Sequence, residues 1–204
     1  MTVTTPQPTT TDHFASALAE MREYYRAGST APFDLTSSPN VQALRSMSPM
    51  LGDDAVDDDV SAQLASIHSQ SMTEAQANVN TQKQGATVAS SQAQQDGKAD
   101  PSAAAAAFQA AMDKQRDAAK SASDATIDKA YAAATKLGVN ADPSTQSTIL
   151  SSMNTLTTTM NDIIGGITNA LSSIVGAIEN IISGLLQPLE EIATSFAPVL
   201  ALFG

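Results

Sequence analysis

The 204-residue sequence predicts an all-α fold: a long antiparallel helical hairpin or coiled coil behind a partly disordered N-terminal region. Three observations predict it. Large apolar residues in the C-terminal part recur at alternating spacings of three and four, the signature of a heptad seam. The pair Asp-Pro stands in front of two long helical patterns, at Asp100-Pro101 and Asp142-Pro143. Aromatic residues make up only 4% of the chain and Trp is absent, while Ala, Ser, Thr, Gln and Asn dominate. Such a composition suits thin helix-on-helix packing better than a thick globular core.

Composition also removes several function classes. A formal charge of −11 and a pI of about 4.3 argue against an electrostatic nucleic-acid binder and against docking on anionic lipid through a basic patch. Without cysteine the chain forms no disulfide, no thiol nucleophile and no cysteine-ligated metal site. The opening MTVTTPQPTTTDHF has neither a charged n-region nor an apolar h-region, so no Sec-type signal is expected. The window from Ile163 to Leu186 is long enough to span a bilayer. It holds Asn169, Glu179, Asn180 and several serines, so it reads as amphipathic first and insertable second.

Three regions follow along the chain. Residues 1–52 form a flexible leader with one short amphipathic helix, capped by Thr11 or Asp12 and stopped by Gly28. Its Phe14, Leu18, Met21 and Tyr25 share one face and mark an N-terminal docking face. That face packs on the chain's own helices, on a neighbouring copy or on a chaperone. Pro32, Pro39 and Pro49 make residues 29–52 a loop with one turn around Val41–Met47. Residues 53–100 form a polar helix and linker. The helical pattern Val60, Leu64, Ile67, Met72, Ala75, Val79 fades into a Gln- and Ser-rich stretch where Gly85 and Gly97 permit a break. Residues 101–204 form the hairpin. Its Ala-rich arm runs from Ser102 to Leu137 with Gly138 as C′ residue, and its partner stripe is Phe108, Met112, Ala119, Ala122, Ala130 and Leu137. Its second arm opens with Asp142 as N-cap and Pro143 at the first helical position.

The candidate chemical motifs do not assemble. Asp53, Asp54, Asp57, Asp58 and Asp59 lack the Gly and Glu that a calcium loop needs in register, and they suit a helix start. His13 and His68 lie on different elements without a third partner, and Glu190-Glu191 point to different helix faces. No GxxxxGK[ST] loop is present. No enzyme activity, catalytic residue, metal or cofactor is expected.

The apolar seam carries the functional expectation. It runs Met153, Leu156, Met160, Ile163, Ile167, Leu171, Ile174, Ile178, Ile181, Leu185, Leu189 and Ile192 as one continuous helix, with Pro188 and Pro198 bending or fraying its end. Beside it lie Ile164, Val175, Ile182 and Leu186, and each large side chain left in water forfeits roughly 1.5–3 kcal/mol. The alanine arm covers one stripe. The second stripe implies self-association or a bilayer, and Gly165, Gly166, Ala170, Gly176, Ala177 and Gly184 permit close helix approach in either setting.

An acidic, cysteine-free chain with the leader MTVTTPQPTTT, a hairpin over 101–204 and heptads from Met153 to Ile192 resembles secreted subunits of type III secretion machines. By overall layout it is most similar to the needle-tip filament proteins, the EspA-like group and the Bordetella-type self-polymerising tip protein. The resemblance implies export unfolded through a narrow channel with a secretion chaperone, a homo-oligomer in the form of a helical polymer, contact with needle or translocator proteins, and an extracellular or cell-surface location. The greasy end FAPVLALFG keeps a membrane-inserting translocator or α-helical pore former open, and an amphipathic coat similar to the phasins of storage granules is a third reading.

Overall fold

The computed structural model describes residues 8–29, 31–47, 58–183 and 188–203. The fold is all-α, with no strand among the described residues. The helices are α1 Thr10–Arg26, α2 Pro39–Met47, α3 Asp58–Asp96, α4 Pro101–Gly138, α5 Pro143–Gly176, α6 Ile178–Ile182 and α7 Pro188–Leu200, and a 3₁₀ turn follows at Ala201–Phe203.

Local chemistry sets most of these boundaries. The first helix starts earlier than the expected Thr11 or Asp12 cap. Thr9 is the N-cap: its hydroxyl accepts from the Asp12 N–H while the Asp12 carboxylate accepts from the Thr9 N–H at 2.8 Å, a closed capping box. It stops as expected at Gly28, which adopts φ +87°. The expected loop around Pro39 holds a full helix instead. Pro39 occupies the first helical position of α2, where a missing N–H is harmless, and Val41 and Leu44 are buried.

Of the two positions that permit a break, Gly85 lies inside α3, which runs unbroken to Asp96, and the helix ends just before Gly97. Its buried line is Ala75, Val79, Gln82, Ala86, Ser90 and Ala93, stepping 4-3-4-4-3 and so repeating every eleven residues. At 3.67 residues per turn, close to the helix's own 3.6, this line stays on one side of a long helix. Its members are small or polar, which is why hydropathy alone loses it. The stripe on α4 follows the same step through Ala104, Phe108, Met112, Ala119, Ser123, Thr126, Ala130 and Ala134. Of the expected arm residues, Phe108, Met112, Ala119 and Ala130 are buried, Leu137 is half-buried and Ala122 is exposed. The four-residue step from Ala119 lands on Ser123, which turns Ala122 to solvent.

The chain forms two compact units, Met1–Ser71 with Ile127–Asn161, and Met72–Thr126 with Asp162–Gly204. In the first unit the end of α4 and the start of α5 run antiparallel. Gln146 donates to the Gly138 carbonyl at 2.9 Å, and Thr157 bonds the Tyr131 hydroxyl at 3.2 Å. The first helix lies antiparallel to α4. Thr11 donates to the Val139 carbonyl at 2.8 Å, and Arg22 and Arg26 pair with Asp128 at 2.8 and 2.6 Å. Beside α5, the Tyr25 hydroxyl meets Thr158 at 2.7 Å, and Asn154 holds both backbone groups of Phe33 at 3.0 Å. Gly138 was expected as a left-handed C′ residue. It is the last residue of α4, without a positive φ, and its role is clearance for the Phe14 ring.

In the second unit α3 runs antiparallel to α4. Thr126 donates to Glu74 at 2.8 Å, Asn78 donates to the Ala119 carbonyl at 2.9 Å, and Gly85 lies against Gln115. Arg116 reaches Ser172 on α5 at 3.1 Å. The single continuous C-terminal helix is a second correction. Helix α5 ends at Gly176, α6 is five residues long, and α7 folds back so that Val199 touches Gly166. A straight helix would place those two residues about 50 Å apart. Pro188 opens α7 instead of bending a longer helix.

The contact of Phe14 with Gly138 generates a test. A methyl at residue 138 would lie about 2.2 Å from the Phe14 ring, so Gly138→Ala overpacks the site and lowers unfolding stability by about 1–3 kcal/mol in urea titrations. Placed in a Phe14→Ala background, the same change should cost markedly less. Equal costs in both backgrounds would show that the ring is not seated there.

Candidate assembly seam

The seam is built by the i, i+3, i+4 spacing on α5 and α6, and the structure turns it inward. Met153, Leu156, Met160, Ile163, Ile167, Leu171, Ile174, Ile178 and Ile181 are all buried, as is Ile192 on α7. Leu189 departs from the expectation: it is 66% exposed, because the reversal before α7 breaks the heptad register and α7 buries Pro188, Ile192, Phe196 and Val199 instead. Leu185 and Leu186 lie outside the described residues. In the second stripe Ile164, Val175 and Ile182 are half-buried.

Two elements cover α5: α1, for which packing on the chain's own helices was one of the expected alternatives, and α7, which was not foreseen. In the first unit, α1 buries its expected docking face, Phe14, Leu18, Met21 and Tyr25, together with Ala17. It lies beside the α5 segment that holds Met153, Leu156 and Met160. In the second unit, Val199 of α7 packs against Gly166. The i, i+4, i+7, i+11 face of α1 was legible in the sequence, but its partner was not. The return of α7 had one signal, a glycine pair inside an apolar helix, where a side chain would keep α7 away.

Asp142 anchors the start of the seam. Its carboxylate accepts from the Ser144 and Thr145 N–H groups at 2.9 and 3.0 Å and from both hydroxyls at 2.6 and 2.7 Å. These bonds, the Ser144 hydroxyl first, hold its carboxyl far below the ordinary carboxylate range. Tyr131 shifts the other way. Burial raises its phenol well above the usual value, opposed by the bond with Thr157 and by the Arg22 charge.

The described seam residues are apolar side chains. Among the described residues no group of three His, Cys, Asp or Glu is arranged to hold a metal ion. His13 Nδ1 bonds Asn40 at 2.9 Å and His68 is exposed on α3. Asp58 and Asp59 of the acidic run lie in the first turn of α3, as expected for a helix start, and the other three lie outside the described residues. A cleft of about 480 Å³ in the second unit, lined by Gly97, Pro101, Ser102, Ala105, Glu179, Ile182 and Ser183, holds a single carboxylate. Among the described residues no helix is long and apolar enough to cross a membrane. Comparisons with protein-family models, with curated proteins and with solved structures found no match to this chain.

Two outcomes follow from the seam. Leu171→Ala should cost about 2–5 kcal/mol in denaturant titrations and Leu189→Ala less than about 0.5, since only the former empties a buried site. Asp142→Ala should cost about 1 kcal/mol at neutral pH. The folded-state pKa of Asp142 is depressed, so its contribution is present above the ordinary value of 3.8 and is lost as pH falls below it. The stability gap between wild type and Asp142→Ala should therefore narrow steadily as pH falls from 5 to 2, and a gap constant over that range would contradict the cap.

Proposed function

We propose that the chain is a non-enzymatic structural subunit, exported and assembled with copies of itself into an extracellular filament of a type III secretion apparatus that acts as a conduit to the host membrane. The observation that carries this reading is the length and thinness of the packing. The helices α3, α4 and α5 have 39, 38 and 34 residues, roughly 50–60 Å each. The first two meet mostly through small and polar residues, Ala, Ser, Thr and Gln, and among the described residues no group of three His, Cys, Asp or Glu could hold a metal ion. A sequence committed to long, slender helices around one apolar seam suits a building element whose chemistry is contact with like subunits. The resemblance in layout to needle-tip filament proteins supports the same reading.

Membrane insertion is the second reading, and one observation favours it. From Ile163 to Phe203 the only charged residues are Glu179, Glu190 and Glu191, and α5 and α7 form an apolar hairpin of the kind that can enter a bilayer. Negative-stain electron microscopy of the purified protein over a concentration series, paired with dye release from anionic and neutral vesicles, separates the two. Filaments with sealed vesicles are the expected result. Leaking vesicles without filaments would favour insertion, and a monodisperse monomer throughout would end the filament reading.

A further inference from the structure

Assembly needs a contact, and the folded chain offers few free ones. Among the described residues the large apolar side chains that are exposed are Val88 (65%), Leu189 (66%) and Leu202 (45%), carried on α3, on α7 and in the closing 3₁₀ turn. A stable protein interface buries about 800 Å² per partner around an apolar centre, and three scattered side chains do not make one. Among the described residues the extensive apolar faces are already paired inside the chain. A subunit of this design joins its neighbour by making an internal contact between chains.

We propose that α1 and α2 exchange between copies: α1 of one copy lies in the groove between α4 and α5 of the next. This rests on the reading that the chain self-assembles, and it names the contact. Three features of the first unit support α1–α2 as the exchanged piece. First, the two helices hold each other. The Glu20 carboxylate accepts from Ser38 at 2.6 Å and from Asn40 at 2.5 Å, and Asn40 also bonds His13, so they can move as one body. Second, the groove recognises α1 specifically at both ends and along one side. Phe14 fits the clearance at Gly138, Arg22 and Arg26 grip Asp128, and the Tyr25 hydroxyl meets Thr158. The same bonds form whether α1 comes from the same chain or from another copy. Third, ten residues join Met47 to Asp58, a length that spans roughly 33–36 Å when extended. Each copy then gives one α1 and receives one. Passed head to tail without closing, such an exchange propagates as a fibre, whereas a reciprocal pair closes as a dimer.

The absence of cysteine makes the test direct. Ala19 and Ala132 are exposed and line the same cleft between α1 and α4. Single variants Ala19→Cys and Ala132→Cys, one isotope-labelled, are mixed while unfolded, allowed to assemble, and treated with a short bifunctional thiol reagent. Covalent dimers that join residue 19 of one variant to residue 132 of the other, identified by peptide mass, are the expected product. The double variant, cross-linked as a dilute monomer, should be locked shut and should fail to assemble. If assemblies form but the mixed singles give no such dimer, or if the locked double variant assembles normally, the exchange is wrong and the filament reading stands. If the wild type forms no assembly at any concentration, both are wrong.

Discussion

The width of the apolar face on α5 is the constraint the rest of the chain answers to. That helix carries an uninterrupted line of large side chains from Ile149 to Ile174, and its sides carry further ones at Ile164 and Val175. A helix of this kind is unstable alone in water, because each exposed Leu or Ile forfeits roughly 1.5–3 kcal/mol. The antiparallel arm α4 brings mostly alanine to it. Alanine allows close approach but covers a narrow strip. The remaining area decides where every other element goes.

Two elements supply the missing cover in different ways. The first helix uses aromatic and sulfur-bearing side chains, Phe14, Met21 and Tyr25, and fixes its position with polar bonds at the rim. The last helix uses close approach: Gly166 removes a side chain from α5 so that Val199 can enter. Helix α3 takes the opposite strategy on α4, with small residues repeating every eleven positions and polar partners such as Asn78 and Glu74 fixing the register. Large side chains therefore sit on one long helix, and thin contacts serve the other two.

Much of this was legible in the residues. The Asp-Pro starts of α4 and α5, the inward face of α1, the stop at Gly28 and nearly all of the seam follow from caps, left-handed glycine and periodicity, which act within a few residues. The misses share a cause. The single turn expected around Val41–Met47 is a full helix from Pro39, and the polar stretch after Val79, where a break was permitted at Gly85, stays helical, because burial in the folded chain stabilises both. The straight seam through Leu189 followed the heptad across a point where the chain reverses. A periodic pattern reports a helix's preferred face, not whether the helix continues.

The sequence by itself determined the helical class, the helix starts, the absence of cysteine chemistry and which side of each helix is apolar, because these depend on local backbone and solvation energetics. Only the tertiary structure decided what covers those apolar sides. The partner of a helix face is chosen among all the elements of the chain by area and shape. Here α1 and α7, which are distant from α5's buried line in sequence or separated from it by a reversal, matched it where α4 alone could not. The seam that looked open from its spacing is closed by the chain's own two ends.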